Sequence, residues 1–271
     1  MVVFPNAKIN LGLFVTEKRP NGFHNIETVF IPVPGFNDVL EVIDNSGNGE
    51  DLFTASGIQV VENHEDNLVF KALQLLRKDH AIPPLKIHLH KNIPAGAGLG
   101  GGSANAAFML KLLNEQYNLG ITKEDLEKLA SQLGADCAFF IRNHPVAARG
   151  TGNIFSPIEL SLSDLWMQIV IPPVGLSTPE AYRNITPKFP AETIENILKE
   201  PMVVWQKKLT NDFEINAFSK YPELKRIKSL LYEGGALYAA MSGSGSAIFG
   251  IFPQKPVISW PKDYTFWCGK L

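Results

Sequence analysis

The chain has 271 residues, 45% of them hydrophobic and 19% charged, so it can bury a sizeable core and fold as one or two globular domains. Lysine and arginine total 25 against 27 acidic residues, and this near balance argues against a nucleic-acid partner. No apolar run is long enough to span a bilayer and no signal-peptide pattern opens the sequence, so we expect a cytoplasmic protein without a membrane partner. Two cysteines are too few for a disulfide framework, and they lack metal-ligand spacing.

Strands and helices alternate in the first half of the chain, as judged from the period of the apolar residues. Strand character is predicted at 2–14, 28–43, 85–90, 139–141 and 146–148. A helix is predicted from Asn67 to Leu76, and a second one follows a glycine-rich run at 92–104. The capping pattern that begins at Thr122 predicts a further helix up to Leu133.

The second half is predicted to contain the same mixture of elements. Helical patterns cover 180–184, 191–199 and 221–232, and strand patterns cover 167–171, 237–241 and 247–252. A turn-rich break at 149–153 separates the two halves. We therefore expect an α+β protein of two domains, residues 1–150 and residues 151–271.

The most informative stretch is the glycine-rich run, in which five glycines fall within seven residues ahead of a predicted helix. Glycine adopts positive φ at no steric cost and lets the backbone approach a ligand closely. The N-terminus of the following helix offers unpaired N–H groups and a positive dipole end to an anion. The run therefore predicts a cradle for a polyphosphate.

Several kinds of phosphate-binding loop share this composition. Gly96, Gly98 and Gly101 fit the dinucleotide-binding spacing, but a second helix is predicted where that fold requires another strand. A P-loop ends in a Lys-Ser or Lys-Thr pair, which is absent here, and a protein-kinase loop requires a catalytic-loop set that the sequence lacks. A structural turn without a ligand is the remaining alternative, although a turn does not need so many glycines.

Two further stretches accompany this run. The first, near the N-terminus, reads Asn-Ala-Lys-Ile-Asn-Leu-Gly-Leu at 6–13 and continues to Pro-Asn-Gly-Phe-His at 20–24. The second, near the C-terminus, reads Met-Ser-Gly-Ser-Gly-Ser-Ala-Ile-Phe-Gly at 241–250. With the central run they resemble the three signature motifs of the galactokinase, homoserine kinase, mevalonate kinase and phosphomevalonate kinase superfamily. Together with Gly-Ala-Asp-Cys-Ala-Phe-Phe at 134–140, they are most similar to the 4-diphosphocytidyl-2-C-methyl-D-erythritol kinases.

This resemblance implies a two-domain kinase fold with ATP in the N-terminal domain and the second substrate in the cleft between the domains. It also implies ATP-dependent phosphorylation of the 2-hydroxyl of 4-diphosphocytidyl-2-C-methyl-D-erythritol, a step of non-mevalonate isoprenoid biosynthesis, with Mg²⁺ accompanying ATP. Another small-alcohol kinase of the superfamily and a catalytically silent nucleotide-binding relative are the alternatives. The sequence leaves the oligomeric state open.

The resemblance assigns residues to the parts of the reaction. Lys8 and Asp136 are carried over as the catalytic pair, with Asp136 as the base. Contacts to the alcohol are carried over to Asn10, Phe23, His24, Thr178 and Tyr182. Among these residues, Phe23 and His24 are expected to contact the cytosine ring. Contacts to ATP are carried over to Asn67, Lys91, Pro94, Ala95, Gly96, Ala97, Gly98, Leu99, Gly100, Gly101, Gly102, Ser103 and Ala104. The metal ligands stay unknown, with Ser103 as first candidate, because glycines replace a serine pair that many superfamily members carry at 101–102.

Some of these residues also have a purely structural interpretation. Asp136 could cap a helix or lie in a turn, Lys8 could extend its ammonium from an edge strand, and Lys91 could be a solvated charge at a strand end. His88 and His90 share one strand face, but no third ligand of matching spacing supports zinc. The aromatic residues in the C-terminal tail are typical of core or of a packing lid.

Overall fold

The computed structural model describes residues 1–47, 49–58 and 66–271. Its strands are β1 (Val2–Val3), β2 (Asn6–Lys18), β3 (His24–Asn37), β4 (Val39–Asp44), β5 (Leu52–Gly57), β6 (Leu85–Lys91), β7 (Val146–Arg149), β8 (Ile154–Pro157), β9 (Trp166–Ile171), β10 (Tyr238–Met241), β11 (Ile248–Phe252) and β12 (Thr265–Lys270). Its helices are α1 (Leu68–Arg77), α2 (Gly101–Gln116), α3 (Lys123–Leu133), α4 (Cys137–Arg142), α5 (Thr178–Arg183), α6 (Ile194–Leu198), α7 (Met202–Lys208), α8 (Glu214–Lys220) and α9 (Pro222–Glu233). No helix within these described ranges is long and apolar enough to cross a membrane.

The chain forms two compact units, each assembled from three segments. The first unit consists of Met1–Ala7, Pro34–Ala95 and Gly100–His144, and the second of Lys8–Val33, Gly96–Leu99 and Pro145–Leu271. These units do not coincide with the division expected at residue 150, because most of β2 and β3 belongs with the C-terminal segment. The assignment of ATP to residues 1–150 and of the second substrate to the side of residues 151–271 stays a prediction.

The first unit contains a four-stranded sheet in the order β1-β4-β6-β5, with β4 antiparallel and β5 parallel to β6. Helices α1 and α3 begin where the sequence predicts, because Asn67 and Thr122 each accept a hydrogen bond from a first-turn N–H. Helix α2 packs against α1 and α4. This packing fixes the helix that the glycine-rich run enters.

The second unit contains two four-stranded sheets, in the orders β2-β3-β7-β8 and β10-β11-β9-β12. Helix α9 packs on β10 and β11 and buries Leu224, Ile227 and Leu231. These side chains share one apolar cluster with Leu13 of β2 and Met241 of β10. The core of this unit therefore joins residues from both ends of the chain.

The structure contains β5, β8, α7 and α8, which were not predicted, and it differs from the prediction at 139–141 and in the C-terminal tail. Residues 139–141 were expected to form a strand, but they lie in α4, where every side chain from Cys137 to Ile141 is buried. A wholly buried run has no apolar period, so its residue pattern does not distinguish a helix from a strand. In the aromatic C-terminal tail, Trp260 and Tyr264 are half-buried against the apolar cluster of the second unit, whereas Phe266, 55% exposed, and Trp267 lie on β12, an edge strand antiparallel to β9.

Candidate active site

The centre of the glycine-rich run, Gly96–Leu99, lies against strand β2 in the second unit. The Lys8 N–H donates a hydrogen bond of 2.9 Å to the Leu99 carbonyl. Gly98 has a φ of +78°, and a Cβ here would lie 2.0 Å from the Ser242 carbonyl oxygen. Only glycine therefore fits at position 98, because both its backbone conformation and the close approach of Ser242 exclude a side chain.

The ammonium group of Lys8 is held inside the second unit. Lys8 is only 3% exposed, and its Nζ donates to Asn10 Oδ1 at 2.6 Å and to the Gly98 carbonyl at 3.0 Å. The same Nζ lies 5.1 Å from the centre of the Phe30 ring, within cation–π distance. The alternative in which Lys8 extends into solvent from an edge strand is therefore wrong, and the ammonium lies at the glycine-rich run.

The side chain of Asn10 is oriented by its neighbours. While its Oδ1 accepts from Lys8, its Nδ2 donates to Thr28 Oγ1 at 3.1 Å, and Thr28 in turn donates to the Gly12 carbonyl at 2.5 Å. The Asn10 N–H donates to Ser242 Oγ at 3.2 Å. Thr28 is fully buried and was missed by the sequence analysis, although a hydroxyl within a buried apolar strand was the available signal.

The turn between β10 and β11 completes this arrangement. Ser242 Oγ donates to the Gly98 carbonyl at 2.8 Å, which connects the turn to the glycine-rich run. Asn211 also fixes the turn, because its Nδ2 donates to the carbonyls of Met241 at 2.7 Å and Gly243 at 2.8 Å. Asn211 belongs to none of the sequence motifs, so nothing in the sequence analysis singled it out.

The first unit supplies the end of the glycine-rich run and the start of α2. Gly100 precedes the helix at the N-cap position with a φ of +70° and makes no side-chain capping hydrogen bond. A Cβ at Gly101 would lie 2.9 Å from Ile93 Cγ2, whereas a Cβ at Gly102 would make an ordinary contact of 3.7 Å with Leu68. The uncapped helix terminus offers its N–H groups and its positive dipole end to an anion.

The two side chains expected near adenine are both engaged within the first unit. Lys91 is 5% exposed, and its Nζ donates to Asp38 Oδ2 and, at 3.0 Å, to Asn105 Oδ1. Burial lowers the pKa of Lys91, while the Asp38 carboxylate acts in the opposite direction. The solvated strand-end alternative for Lys91 is therefore wrong. Asn67 Oδ1 accepts from the Val69 N–H at 2.9 Å as the cap of α1, and its contact with adenine stays a prediction.

Asp136 lies directly before α4 in the first unit. It occupies the N-cap position of α4 within a turn, as the structural interpretation expected, but its side chain makes no capping hydrogen bond. The neighbouring Cys137 thiol is hydrogen-bonded to the side chain of Ser103, and burial raises the pKa of Cys137 to about 11. Ser103, the first candidate for a metal ligand, thus lies beside the residue that follows the predicted base.

Aromatic side chains gather around His24 in the second unit. The His24 and Tyr182 rings stack with centres 5.0 Å apart and planes at 24°, and the edge of Phe213 packs on Tyr182 at 4.8 Å. Burial, assisted by the Lys18 charge, lowers the pKa of His24, which keeps the imidazole neutral at pH 7. Phe23 is 64% exposed.

Thr178 links the predicted alcohol contacts to the glycine- and serine-rich stretch at 241–250. Its hydroxyl lies 2.8 Å from the Ser244 hydroxyl, within hydrogen-bonding distance. Thr178 also opens α5, the helix that carries Tyr182. The structure thus brings together the second-unit candidates Lys8, Asn10 and Gly98 in one network and His24 and Tyr182 in another.

The described residues contain no cluster of three or more histidine, cysteine or acidic side chains that could hold a metal ion. His88 instead lies 2.8 Å from Thr54 Oγ1 and 2.9 Å from Ser56 Oγ, and His90 lies 2.9 Å from the same Ser56 hydroxyl. These imidazoles therefore take part in a row of hydroxyl contacts between β5 and β6.

Comparisons with known proteins agree with this geometry. Residues 67–144 match the GHMP kinases N terminal domain and residues 193–258 match the GHMP kinases C terminal family. The 4-diphosphocytidyl-2-C-methyl-D-erythritol kinase of Parabacteroides distasonis is 55% identical, and the match covers 100% of both chains. The chain belongs to the 4-diphosphocytidyl-2-C-methyl-D-erythritol kinases, within the GHMP kinases.

More distant matches extend this family assignment. The kinase of the same name from Chlorobium phaeobacteroides is 38% identical, over 92% of this chain and 87% of the relative. A crystal structure of 4-(cytidine 5'-diphospho)-2C-methyl-D-erythritol kinase has a TM-score of 0.75 at 33% identity, covering 93% of this chain and 90% of the other. Homoserine kinase from Cytophaga hutchinsonii, at 18% identity, shares the fold with a TM-score of 0.67 over 98% and 94% of the two chains. The expected α+β kinase fold is confirmed.

Proposed function

We propose that this chain transfers the γ-phosphoryl group of ATP to the 2-hydroxyl of 4-diphosphocytidyl-2-C-methyl-D-erythritol, in non-mevalonate isoprenoid precursor synthesis. Full-length identity of 55% to a kinase of that name supports the substrate. The observation that carries the chemistry is the buried Lys8 ammonium, held at 3.0 Å from the Gly98 carbonyl of the phosphate loop. A catalytically silent relative would have no need of a buried lysine there, because desolvating an ammonium is costly.

The donor is bound by the glycine-rich run. Phosphoryl transfer depends mainly on positioning and on stabilising charge, and this chain offers backbone N–H groups for both purposes. The uncapped start of α2 and the constrained backbone at Gly98 suit the oxygen atoms of a polyphosphate. Asn67 and Lys91 are proposed to lie nearest the adenine.

In the transfer step, the acceptor hydroxyl oxygen forms a bond to the γ-phosphorus while the bond from that phosphorus to the β,γ-bridging oxygen breaks, releasing ADP. Asp136 accepts the hydroxyl proton as general base. Lys8 neutralises developing negative charge and polarises the acceptor hydroxyl. Asn10 keeps the ammonium in place, since its Oδ1 accepts from Lys8 while its Nδ2 is fixed by Thr28.

Mg²⁺ is proposed to enter with ATP and to neutralise the phosphate charge. The described side chains contain no ready metal cluster, so phosphate oxygens and water would fill most of the coordination sphere, as Mg²⁺ prefers. Ser103 is the first protein ligand to test. We also propose that the enzyme acts in the cytoplasm. ATP is available there, and the reducing conditions of the cytoplasm suit the two free cysteines.

The alcohol is proposed to be recognised through its cytosine ring. The stacked pair of His24 and Tyr182 offers an aromatic face, and the neutral imidazole of His24 can accept or donate a hydrogen bond. Phe23, largely exposed, can fold over a bound ring. Asn10 and Thr178 are proposed to contact the remainder of the alcohol.

Incubation of the purified protein with ATP, Mg²⁺ and a panel of alcohols, followed by ADP release and by phosphorus NMR of the product, tests this function. We expect ADP only with the cytidylyl alcohol, a new monoester at its 2-hydroxyl, and loss of both signals when EDTA removes the metal. ADP release with mevalonate or homoserine, and none with the cytidylyl alcohol, would favour another small-alcohol kinase. ATP binding without turnover of any alcohol would favour a silent relative.

A further inference from the structure

A single buried carboxylate holds residues on both sides of the glycine-rich run. Asp38, between β3 and β4, is completely buried. Its Oδ1 accepts from the N–H groups of Asn92 at 2.8 Å and Ile93 at 2.9 Å, where the chain enters the run. Its Oδ2 accepts from Asn105 Nδ2 at 2.8 Å, in the helix where the run ends, and from Lys91 Nζ.

The partners of Asp38 also contact one another and the run itself. Lys91 Nζ donates to Asn105 Oδ1 at 3.0 Å, which closes a triangle of side chains. A Cβ at Gly101 would lie 3.2 Å from that Nζ, so the ammonium sits directly under the first helical residue. All of these groups belong to the first compact unit.

We propose that Asp38 is a positioning residue for ATP, acting through the backbone of the glycine-rich run. Loops rich in glycine lose much conformational entropy when they are ordered, and a run that is already fixed at both ends loses less when ATP binds. Asp38 fixes the entry to the run through two backbone N–H groups and its exit through Asn105. The proposal rests on the proposed function, in which this run binds the triphosphate.

A purely structural ion pair is the competing explanation, and the chain contains a matched example of one. Asp51, in the same unit, accepts two hydrogen bonds from the Arg77 guanidinium and one of 2.8 Å from the Leu85 N–H. Like Asp38, it joins a cation to the backbone, but its backbone partner Leu85 begins β6, whereas the backbone partners of Asp38 follow the end of β6. The two explanations differ in what they predict for nucleotide affinity.

The experiment compares Asp38→Asn with Asp51→Asn in the full-length protein. Asparagine is similar in size but carries an amide in place of one carboxylate oxygen, so it cannot accept on both sides of the run. Titration calorimetry with Mg·ATP, without the alcohol, gives the affinity, and thermal unfolding reports stability. We expect Asp38→Asn to weaken ATP binding at least tenfold and to raise the KM for ATP but not for the alcohol. Asp51→Asn should lose stability while binding ATP within twofold of the unsubstituted protein.

Asn105→Ala provides a second route if Asp38→Asn does not fold, because it removes only the connection to α2. This variant should weaken ATP binding severalfold with the KM for the alcohol unchanged. The proposal would be overturned if folded Asp38→Asn bound ATP within twofold of the unsubstituted protein, or if both KM values rose equally. If Asp38→Asn does not fold, the same criterion applies to Asn105→Ala. If the unsubstituted protein itself does not bind Mg·ATP, the proposed function fails first, so the two failures are distinguishable.

Discussion

Lys8 lies on a strand whose neighbouring side chains are all buried, where a lysine is rare unless its charge is compensated. Its compensation comes from a carboxamide two residues away and a carbonyl ninety positions along the chain. The residue type and its motif could be identified from the sequence by resemblance. The Gly98 contact could not, because it depends on how a distant loop packs against β2.

The base assignment predicts the kinetics of two single variants. Asp136→Asn should leave ATP and alcohol affinities close to those of the unsubstituted protein while kcat falls by about 10²–10⁴, the usual contribution of a positioned base. Lys8→Met should fall in the same range, and the double variant should be little worse than the poorer single one, because both groups serve one proton transfer. Steady-state kinetics of all three variants check this.

Each variant must still bind ATP and unfold cooperatively for the comparison to hold. Substantial turnover in a folded Asp136→Asn protein would remove the base assignment. Orientation and charge neutralisation would then account for the catalysis, which a loose transition state permits.

The aromatic residues predict an effect confined to one substrate. Phe23→Ala and His24→Ala should raise the KM for the alcohol about tenfold or more, since a stacked base is worth roughly 1–3 kcal/mol, with little change in the KM for ATP. Phe189→Ala is the matched control, because Phe189 is also an exposed phenylalanine, 73% exposed, outside the predicted site. Equal weakening of both substrates would mean that these side chains maintain the fold rather than recognise cytosine.

At the scale of elements, the sequence predicted those that have clear boundaries or a clear period. Helices α1 and α3 begin at capping side chains, and β6 alternates in burial along its length. These helices and this strand could therefore be recognised from the sequence. Helix α4 could not, because a six-residue, fully apolar run lacks any period. The segment 209–213, between α7 and α8, was missed for another reason. It holds the turn between β10 and β11 through hydrogen bonds, and these contacts between distant residues exist only in the folded chain.

Asn211, in that segment, should matter to both stability and turnover. Asn211→Leu would leave the buried Met241 and Gly243 carbonyls without their donor, and each unsatisfied group costs about 1–3 kcal/mol. We expect a loss of roughly 2–4 kcal/mol in urea unfolding and a fall in kcat, because the displaced turn carries Ser242, which supports Asn10. The half-buried Asn216, whose amide donates to the Asn184 carbonyl, supplies the control Asn216→Ala. A loss below about 0.5 kcal/mol for Asn211→Leu, the range of ordinary surface substitutions, would contradict this role.

At the scale of the whole molecule, the order of segments along the chain decides which pieces can fold. A turn-rich break at 149–153 suggested two contiguous domains, and family matches at 67–144 and 193–258 fall on either side of it. The compact units are interleaved instead, because β2 and β3 supply strands and core residues to the C-terminal unit. Local turn composition carries no information about such long-range pairing.

Residues 151–271 alone should therefore not fold. This fragment keeps only β8 of the sheet β2-β3-β7-β8, and its main apolar cluster loses Leu13, Val15 and Ile26, all buried in the intact chain. Burying a single such aliphatic side chain is worth about 1.5–3 kcal/mol, so losing three of them removes a large part of a typical domain's net stability of about 5–15 kcal/mol. Far-UV circular dichroism during heating should show no cooperative transition for the fragment. A matched chain that joins 8–33 to 145–271 through a short Gly-Ser linker should regain a cooperative transition. The linker can be short because Phe30 lies opposite Val146 in the antiparallel pair of β3 and β7, which brings residues 33 and 145 near each other. A cooperative transition in the fragment alone would mean that β2 and β3 pack on the surface of this unit and are not needed to complete its core.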